Sequence, residues 1–196
     1  MIEGYIGRPG SGKSYLLTEK VVRLADRGEK CFTNWDIAHE NVWRYEADDL
    51  LDLPPGKIFI DEAHLWFPAR AALRLPPSWL AMLSQTRKSG WDLFWATQHE
   101  TRVDRVLRDV TCWMHLCTAW WKRQNNAPLI FHIETWEPED FRKKGKRVMA
   151  QWKFFNKRVA AAYDTFEHLE VAEHAESDSD VYRLKSEARK RGKGGR

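Results

Sequence analysis

The segment Gly7 to Ser14, GRPGSGKS, constrains the fold more than any other part of the sequence. It lies between a short apolar run, IEGYI, and a stretch with the apolar spacing of a helix, KSYLLTEKVVRLADRG. Glycine permits backbone conformations in which successive N–H groups point to one centre, and the first turn of the helix adds its positive dipole end. The segment therefore predicts a strand–loop–helix unit whose loop encloses a phosphate chain.

The spacing of this segment fits the pattern G-x-x-x-x-G-K-[ST], which is typical of loops that bind ATP. We expect Lys13 to be an exposed loop lysine that reaches the β- and γ-phosphates, and the Ser14 hydroxyl to take one position on Mg²⁺. The residues expected to hold the nucleotide are Gly7, Gly10, Ser11, Gly12, Lys13, Ser14 and Tyr15. The alternative is a glycine-rich turn with an incidental lysine.

A second metal ligand is expected at the end of a strand beside the first one. The run KIFIDEAH supplies it, because three apolar residues deliver Asp61 to the carboxyl edge of the sheet. There Asp61 can hold Mg²⁺ through water, and Glu62 is a candidate general base for an attacking water. Two adjacent acids can also form a plain polar turn, and the phosphate loop upstream favours the functional reading.

The run FWATQHE repeats this geometry and brings Thr97 and Gln98 to the same edge. The amide of Gln98 can donate to the γ-phosphate or orient the water, although a polar residue at a strand end is the simpler alternative. His64 and His99 stand near these strand ends, and we expect them to be surface residues or neighbours of the site rather than metal ligands.

Short strands and helices alternate through roughly the first hundred residues, which is typical of an α/β fold with a mainly parallel sheet and helices on both faces. The predicted strands are IEGYI, KCFTN, KIFID and DLFWATQ, and SWLAMLSQTRKSG is a predicted helix with Ser78 as its N-cap. Two apolar runs around KRQNNA predict a β-hairpin extension, and AQWKFFN predicts a further strand. The domain is expected to span residues 1–170, with a charged, flexible tail at 171–196.

Composition bears on partners and compartment. Much of the positive charge behind the net +4 lies in RKKGKR, Arg142 to Arg147, and in the final ARKRGKGGR. Such segments suit a polyanion such as DNA, and the alternative, which the tail favours, is a solvated surface. Trp120 and Trp121 beside basic residues could stack on bases, although core packing is the more common role of tryptophan. An odd count of three cysteines suits a reducing compartment, and no apolar run reaches the length of a membrane span.

Four segments resemble the zonular occludens toxin family, which includes the gene I assembly proteins of filamentous phages: GRPGSGKSYLLTEKVVRLADRGEKCFTNWDI, KIFIDEAHLWFPAR, TRKSGWDLFWATQHETRVDRVLR and FFNKRVAAAYDTFEH. More loosely, they resemble the FtsK and HerA class of DNA-pumping ATPases, among them viral genome-packaging ATPases. The resemblance implies a RecA-like core that hydrolyses ATP in a hexameric or pentameric ring and moves DNA without reading its sequence. A virion protein or a membrane-associated phage protein is a further implied partner.

A ring motor of this kind is expected to complete each site with an arginine from the neighbouring subunit. Arg87 in SQTRKSG is the favoured candidate, and the others are Arg70, Arg102, Arg105 and Arg108. Filamentous-phage members continue into a membrane span that this sequence does not show, so genome packaging and phage secretion both stay open. Host cytoplasm is the expected location, in association with the virion or the inner membrane.

Two other function classes compete with a motor. A small-molecule P-loop kinase would use the same Lys13, Ser14 and Asp61, but the tandem Asp61–Glu62 favours water over another acceptor. A nucleotide-binding scaffold without hydrolysis is the second rival, and the intact set of polar site residues argues against it.

Overall fold

The computed structural model describes residues 1–69, 77–86, 88–122 and 128–163, without the side chains of Leu80, Trp121 and Lys122. The strands are β1 (Ile2–Ile6), β2 (Cys31–Thr33), β3 (Val42–Arg44), β4 (Lys57–Ile60), β5 (Asp92–Thr97), β6 (Trp113–Lys122), β7 (Pro128–Trp136) and β8 (Met149–Phe154). The α-helices are α1 (Lys13–Ala25), α2 (Pro77–Gln85), α3 (Arg105–Val110), α4 (Pro138–Lys143) and α5 (Lys157–Ala161). Short 3₁₀ turns occupy Ala47–Asp49 and Glu100–Arg102.

The eight strands of the described residues form one sheet in the order β3-β2-β4-β5-β1-β6-β7-β8. The first six strands in this order are parallel, and β7 and β8 add antiparallel pairs at one end. The α/β fold with a mainly parallel sheet and a hairpin extension is therefore confirmed. The expectation that the KIFID strand lies beside the first one is wrong, because β5 pairs with both β1 and β4.

The core forms on both faces of the sheet, because the central strands are buried on both sides. On one face α1 packs its residues Leu16, Leu17 and Val21 against Phe59 and Phe94 of the sheet. The opposite face buries a second cluster, which includes Ile6, Ile60, Leu93, Trp95 and Leu107. This two-sided burial fixes the central strands and so fixes the edge at which their carboxyl ends meet.

The hairpin of β6 and β7 extends beyond the carboxyl edge of the parallel strands. Strand β6 pairs with β1 only as far as Ile6 opposite Leu116, and then continues with β7 to Lys122 opposite Pro128. The loop 123–127 lies outside the described residues. The parts of β6 and β7 that extend beyond β1 therefore lie beside the segment that follows β1, and we call them the β6–β7 wall.

Several local predictions need correction or stay open. Helix α2 begins at Pro77, so Ser78 lies inside the helix and is not its N-cap; proline suits the first helical position, where no N–H partner is needed. Strand β3 and helices α3 and α4 were not predicted. The predicted boundary at residue 170 and the tail at 171–196 lie outside the described residues. Among the helices that the structure describes, none is long and apolar enough to cross a membrane.

Candidate nucleotide-binding site

The loop between β1 and α1 has the shape that its glycines predict. Gly10 and Gly12 adopt left-handed backbone angles, with φ of 74° and 86°. A Cβ atom on Gly12 would lie 2.3 Å from Cε1 of Phe131, and one on Gly7 would lie 2.4 Å from Oγ of Ser11. The loop is therefore closed against the β6–β7 wall and against itself, and side chains at these positions would open it.

Lys13 is more enclosed than the sequence suggested. Its side chain is buried rather than exposed, and its Nζ donates to the carbonyl oxygens of Gly7 at 3.0 Å and Arg8 at 3.4 Å. The Oγ of Ser11 is also buried and has no hydrogen-bond partner within the part of the chain that the structure describes. An ammonium group and an unsatisfied hydroxyl thus converge on one small loop, which suits an anion with several oxygen atoms.

Tyr15 anchors the first turn of α1 and does not face an open site. Its ring stacks on Phe131 with centroids 4.5 Å apart, and its hydroxyl accepts a hydrogen bond from the N–H of Asn156 at 2.7 Å. Burial raises the pKa of this hydroxyl. Only the backbone of Tyr15, in the turn that begins the helix, is placed to serve a nucleotide.

Asp61 follows β4 and is buried at the carboxyl edge. Its backbone is held by Asn34, whose Nδ2 donates to the carbonyl of Asp61 at 3.0 Å and whose Oδ1 accepts from its N–H at 2.8 Å. Asn34 was not predicted from the sequence, because it follows β2 and belongs to no motif. A fixed carboxylate at a strand end fits Mg²⁺, a hard cation that prefers oxygen ligands and uses few from the protein.

Glu62 is held in an unusual conformation beside Asp61. Its φ of 48° lies in the left-handed region, which costs a non-glycine residue about 1–2 kcal/mol. Its Oε2 lies 3.2 Å from Nδ1 of His64, and this contact is the largest influence on its pKa, which it lowers. Burial opposes the shift, whereas the charge of Lys13 and a hydrogen bond with Gln98 lower the pKa further. Glu62 is therefore ionised at neutral pH and interacts electrostatically with the loop lysine.

His64 and Gln98 complete the group around Glu62. The Nδ1 atom of His64 also lies 3.3 Å from Oγ1 of Thr97, which joins the end of β4 to the end of β5. His64 is thus a direct neighbour of the candidate base, one of the two roles left open from the sequence. Gln98 accepts a hydrogen bond from Nη1 of Arg102 at 3.1 Å. The structure therefore brings Lys13, Glu62 and Gln98 together, and their roles at a nucleotide stay a prediction.

The arginine candidates have different surroundings. Arg102 is bonded to Gln98 of its own chain, and Arg105 pairs with Asp109 at 3.1 Å. Arg108 lies on α3 with its Nε buried. Arg70 and the favoured Arg87 lie outside the described residues, so the expected role of Arg87 stays a prediction.

A cavity of about 900 Å³ opens where the phosphate loop begins. It is lined by Gly7, Arg8 and Ser11 on one side, by Gln98 and His99 on another, and by residues of β6 and α4 on the third. Its volume lies in the range of about 300–1,000 Å³ that is usual for small-molecule sites. The basic residues Arg142 and Lys144 also border it, so α4 lies close to the candidate nucleotide site.

The basic segment from Arg142 to Arg147 is less free than its sequence suggests. Arg142 pairs with Asp109 at 3.0 Å, Lys143 pairs with Glu139 at 3.5 Å, and Arg147 pairs with Glu134. Ion pairs of this kind neutralise three of the five charges within the chain itself. Within the described part of the chain, Lys144 and Lys146 make no such pair.

Comparisons with solved structures agree with this architecture. The N-terminal domain of zonular occludens toxin from Neisseria meningitidis superposes with a TM-score of 0.59 at 20% identity, covering 83% of this chain and 98% of that one. The genome packaging NTPase B204 from Sulfolobus turreted icosahedral virus 2, in complex with ATP-gammaS, gives a TM-score of 0.57 at 13% identity and covers 79% and 98%. B204 from Sulfolobus turreted icosahedral virus, named a DNA-packaging ATPase, gives 0.55 at 14% identity and covers 79% and 98%. The fold is that of RecA-like P-loop NTPases.

Sequence comparisons identify the family. No curated protein sequence matches the chain significantly. Residues 40–164, however, match the family described as zonular occludens toxin (Zot). This match confirms the resemblance that the motifs indicated, and it covers more than half of the 196 residues. The chain therefore belongs to the zonular occludens toxin family.

Proposed function

We propose that this protein hydrolyses ATP as a ring-forming motor that drives the movement of viral DNA during genome packaging or virion assembly. The observation that carries the proposal is the convergence of a buried Lys13, Asp61 and an ionised Glu62 at one edge of the sheet. A phosphate loop alone would support binding, but a carboxylate that interacts with both Lys13 and Gln98 supports hydrolysis as well.

In this proposal the phosphate loop binds ATP through its backbone. The N–H groups of Gly7, Gly10, Gly12 and Tyr15 line the phosphate chain, whereas the N–H of Ser11 donates to the carbonyl of Arg8 at 3.0 Å. Lys13 transfers its hydrogen bonds from the loop carbonyls to phosphate oxygens. Ser14 and Asp61 would hold Mg²⁺, which supplies positive charge at the phosphates when it is bound. The buried Oγ of Ser11 gains the partner that it lacks in the described part of the chain.

Glu62 and Gln98 act on the attacking water. The carboxylate of Glu62 accepts a proton from the water while the oxygen of that water forms a bond to the γ-phosphorus. The bond between that phosphorus and the bridging oxygen breaks, and ADP and inorganic phosphate result. Gln98 orients the water through its amide, and the hydrogen bond from Arg102 fixes which way that amide points.

The relatives support the motor rather than another use of the fold. One solved structure with a similar fold is named a genome packaging NTPase and was determined with an ATP analogue, and another is named a DNA-packaging ATPase. We propose that the active species is a hexameric or pentameric ring, in which Arg87 of a neighbouring subunit completes each site. The proposed location is the host cytoplasm, at the virion or the inner membrane.

DNA binding would be independent of sequence and sensitive to salt. Because Arg142, Lys143 and Arg147 are paired within the chain, Lys144 and Lys146 are the charges of this segment most available to phosphates. Lys144 lines the cavity at the phosphate loop, so a DNA contact there would lie close to the bound nucleotide.

Release of inorganic phosphate from ATP, measured without any acceptor and with or without single- and double-stranded DNA, tests this function. We expect phosphate release that DNA stimulates at low salt and less at physiological salt. The variant Lys144→Gln with Lys146→Gln should lose most of the stimulation. Arg27→Gln with Lys30→Gln is the matched control. Lys30 directly precedes β2, so it lies at the amino-terminal ends of the parallel strands, whereas the candidate site lies at their carboxyl ends. Absence of phosphate release under all these conditions would overturn the proposal.

A further inference from the structure

The antiparallel end of the sheet exposes aromatic side chains on one face. Trp120 of β6 and Trp152 and Phe154 of β8 are 50%, 55% and 72% exposed. The register places Trp120 opposite Ile130 and Ile130 opposite Phe154, and it pairs His132 with Trp152. These five residues, Trp120, Ile130, His132, Trp152 and Phe154, thus share one side of the sheet and form what we call the aromatic face.

The rings of this face are arranged in contact with one another. The ring of Trp152 lies 4.3 Å from that of His132 and 6.1 Å from that of Trp120, measured between centroids. Three large aromatic side chains at these exposures present on the order of 400 Å². That is about half of the roughly 800 Å² that one partner contributes to a standard protein interface. The aromatic face is therefore large enough to be the centre of an interface.

The charges around the aromatic face favour a protein over DNA as its partner. None of its five residues is Lys, Arg, Asp or Glu. At the neighbouring end of the same strands, Arg147 is already paired with Glu134. A surface that stacks on single-stranded bases needs basic side chains beside the rings to hold the phosphates. Among the side chains that the structure describes, none next to these rings is a free cation; Lys122, which lies on the same side of β6 as Trp120, is not among those side chains.

The position of the aromatic face relates it to the nucleotide site. Thr118, which pairs with His132, and Leu116 continue the outward side of β6 and line the cavity at the start of the phosphate loop. A partner seated on the aromatic face would therefore also border that cavity. Such a position is the one that a neighbouring subunit must take if it is to act on this chain's nucleotide.

The opposite end of the sheet carries a second, different apolar feature. Trp43 lies on the edge strand β3, is 43% exposed, and rests partly on Phe32 with ring centroids 5.8 Å apart. In the strand order, β3 and the strand β8 of the aromatic face are the two ends of the sheet. Contacts between two unlike surfaces of one chain are heterologous, and they propagate into rings or filaments rather than closing as dimers.

We propose that the aromatic face docks against the Trp43 end of a second copy of this chain. The contact is head to tail, so each subunit uses one surface toward each of its two neighbours. The inference rests on the proposed ring and adds to it the two surfaces that build it.

Surface variants and mass measurement test this contact. The first variant is Trp152→Ser with Phe154→Ser, the second is Trp43→Ser, and Trp120→Ser is an independent variant of the aromatic face. Met149→Ser is the control, because Met149 is on the same strand with similar exposure but lies on the other face of the sheet. Circular dichroism and binding of a fluorescent ATP analogue establish that each variant is folded.

We expect the wild type and Met149→Ser to form the same oligomer with a non-hydrolysable ATP analogue, and the other variants to be monomers. A mixture of the first two variants should give dimers and nothing larger, because only one intact pair of surfaces remains. Full assembly of the aromatic-face variants, assembly of Trp43→Ser, or a monomeric wild type would each overturn the proposal. Normal assembly with lost binding of single-stranded DNA would instead identify the face as a nucleic-acid surface. Phosphate release, measured in parallel, reports separately on the ATPase.

Discussion

Replacing Gly12 with alanine tests how tightly the phosphate loop is held against the hairpin. Gly12 has a φ of 86°, and its added Cβ would lie 2.3 Å and 2.4 Å from two ring carbons of Phe131. Gly10 provides a matched control, because its φ of 74° is similar but an added Cβ would meet nothing within 4 Å. The two substitutions therefore share the backbone strain and differ in the steric clash.

The magnitudes follow from these two terms. A left-handed backbone costs an alanine about 1–2 kcal/mol, which is the expected loss for Gly10→Ala. Inserting a methyl group into a packed region costs about 1–3 kcal/mol more, so Gly12→Ala should lose about 2–5 kcal/mol. Because Phe131 is buried and also stacks on Tyr15, the ring cannot move away without disturbing α1.

Urea unfolding without nucleotide measures both losses, and an unchanged m value shows that the unfolded state is comparable. In a Phe131→Ala background the cost of Gly12→Ala should fall to that of Gly10→Ala, since the clashing ring is gone. Equal destabilisation by the two glycine variants in the wild-type background would show that the loop does not pack on the hairpin as described.

Three further predictions concern other parts of the chain. Lys13→Ala should abolish binding of ATP while the circular dichroism spectrum stays native, because the hydrogen bonds of the ammonium within the described residues go to loop carbonyls; retained binding would argue against the site. Burial alone would raise the pKa of Glu3, but His115 and Lys20 outweigh it and lower the pKa from 4.5 to about 2. Glu3 should therefore contribute about 3 kcal/mol to the stability that the wild type loses as pH falls from 4.5 to 2, and the loss of Glu3→Gln in acid unfolding should be smaller by that amount. Arg87→Ala should keep ATP affinity and lower turnover about a thousandfold, and an excess of Lys13→Ala subunits should restore its activity if Arg87 acts on the neighbouring subunit.

The parts of the site that could be predicted are those that depend on short, local stretches of sequence. The phosphate loop needs particular residues at fixed spacing, and an apolar run that ends in Asp61 and Glu62 places both acids at a strand end. The hairpin was also predictable, because two apolar runs around a polar turn have few other ways to pair.

The parts that could not be predicted depend on contacts between distant residues. The position of β5 between β1 and β4 is set by packing of the whole sheet, since all three strands are similar apolar runs. The contacts of Asn34 with Asp61 and of His64 with Thr97 depend on the ends of β2, β4 and β5 lying side by side. The pairing of Arg142 with Asp109 likewise joins two helices that no local pattern connects.

The basic segment from Arg142 to Arg147 shows that a functional prediction can also depend on contacts between distant residues. A run of five basic residues within six positions indicates a polyanion site when it is read alone. The fold brings Asp109, Glu134 and Glu139 to three of those residues, and much of the expected positive field is cancelled. The positive charge that this segment offers to a ligand therefore depends on ion pairs within the fold as well as on the sequence.

Hydrolysis by the Glu62→Gln variant tests the central proposal most directly. The amide keeps the shape of the side chain but cannot accept a proton, and Lys13, Ser14 and Asp61 remain to bind ATP. We expect equilibrium binding of ATP to be retained and the rate of phosphate release in single turnover to fall at least about a hundredfold. Phosphate release at the wild-type rate would show that Glu62 is not the base, and loss of ATP binding would show that it belongs to the metal site instead.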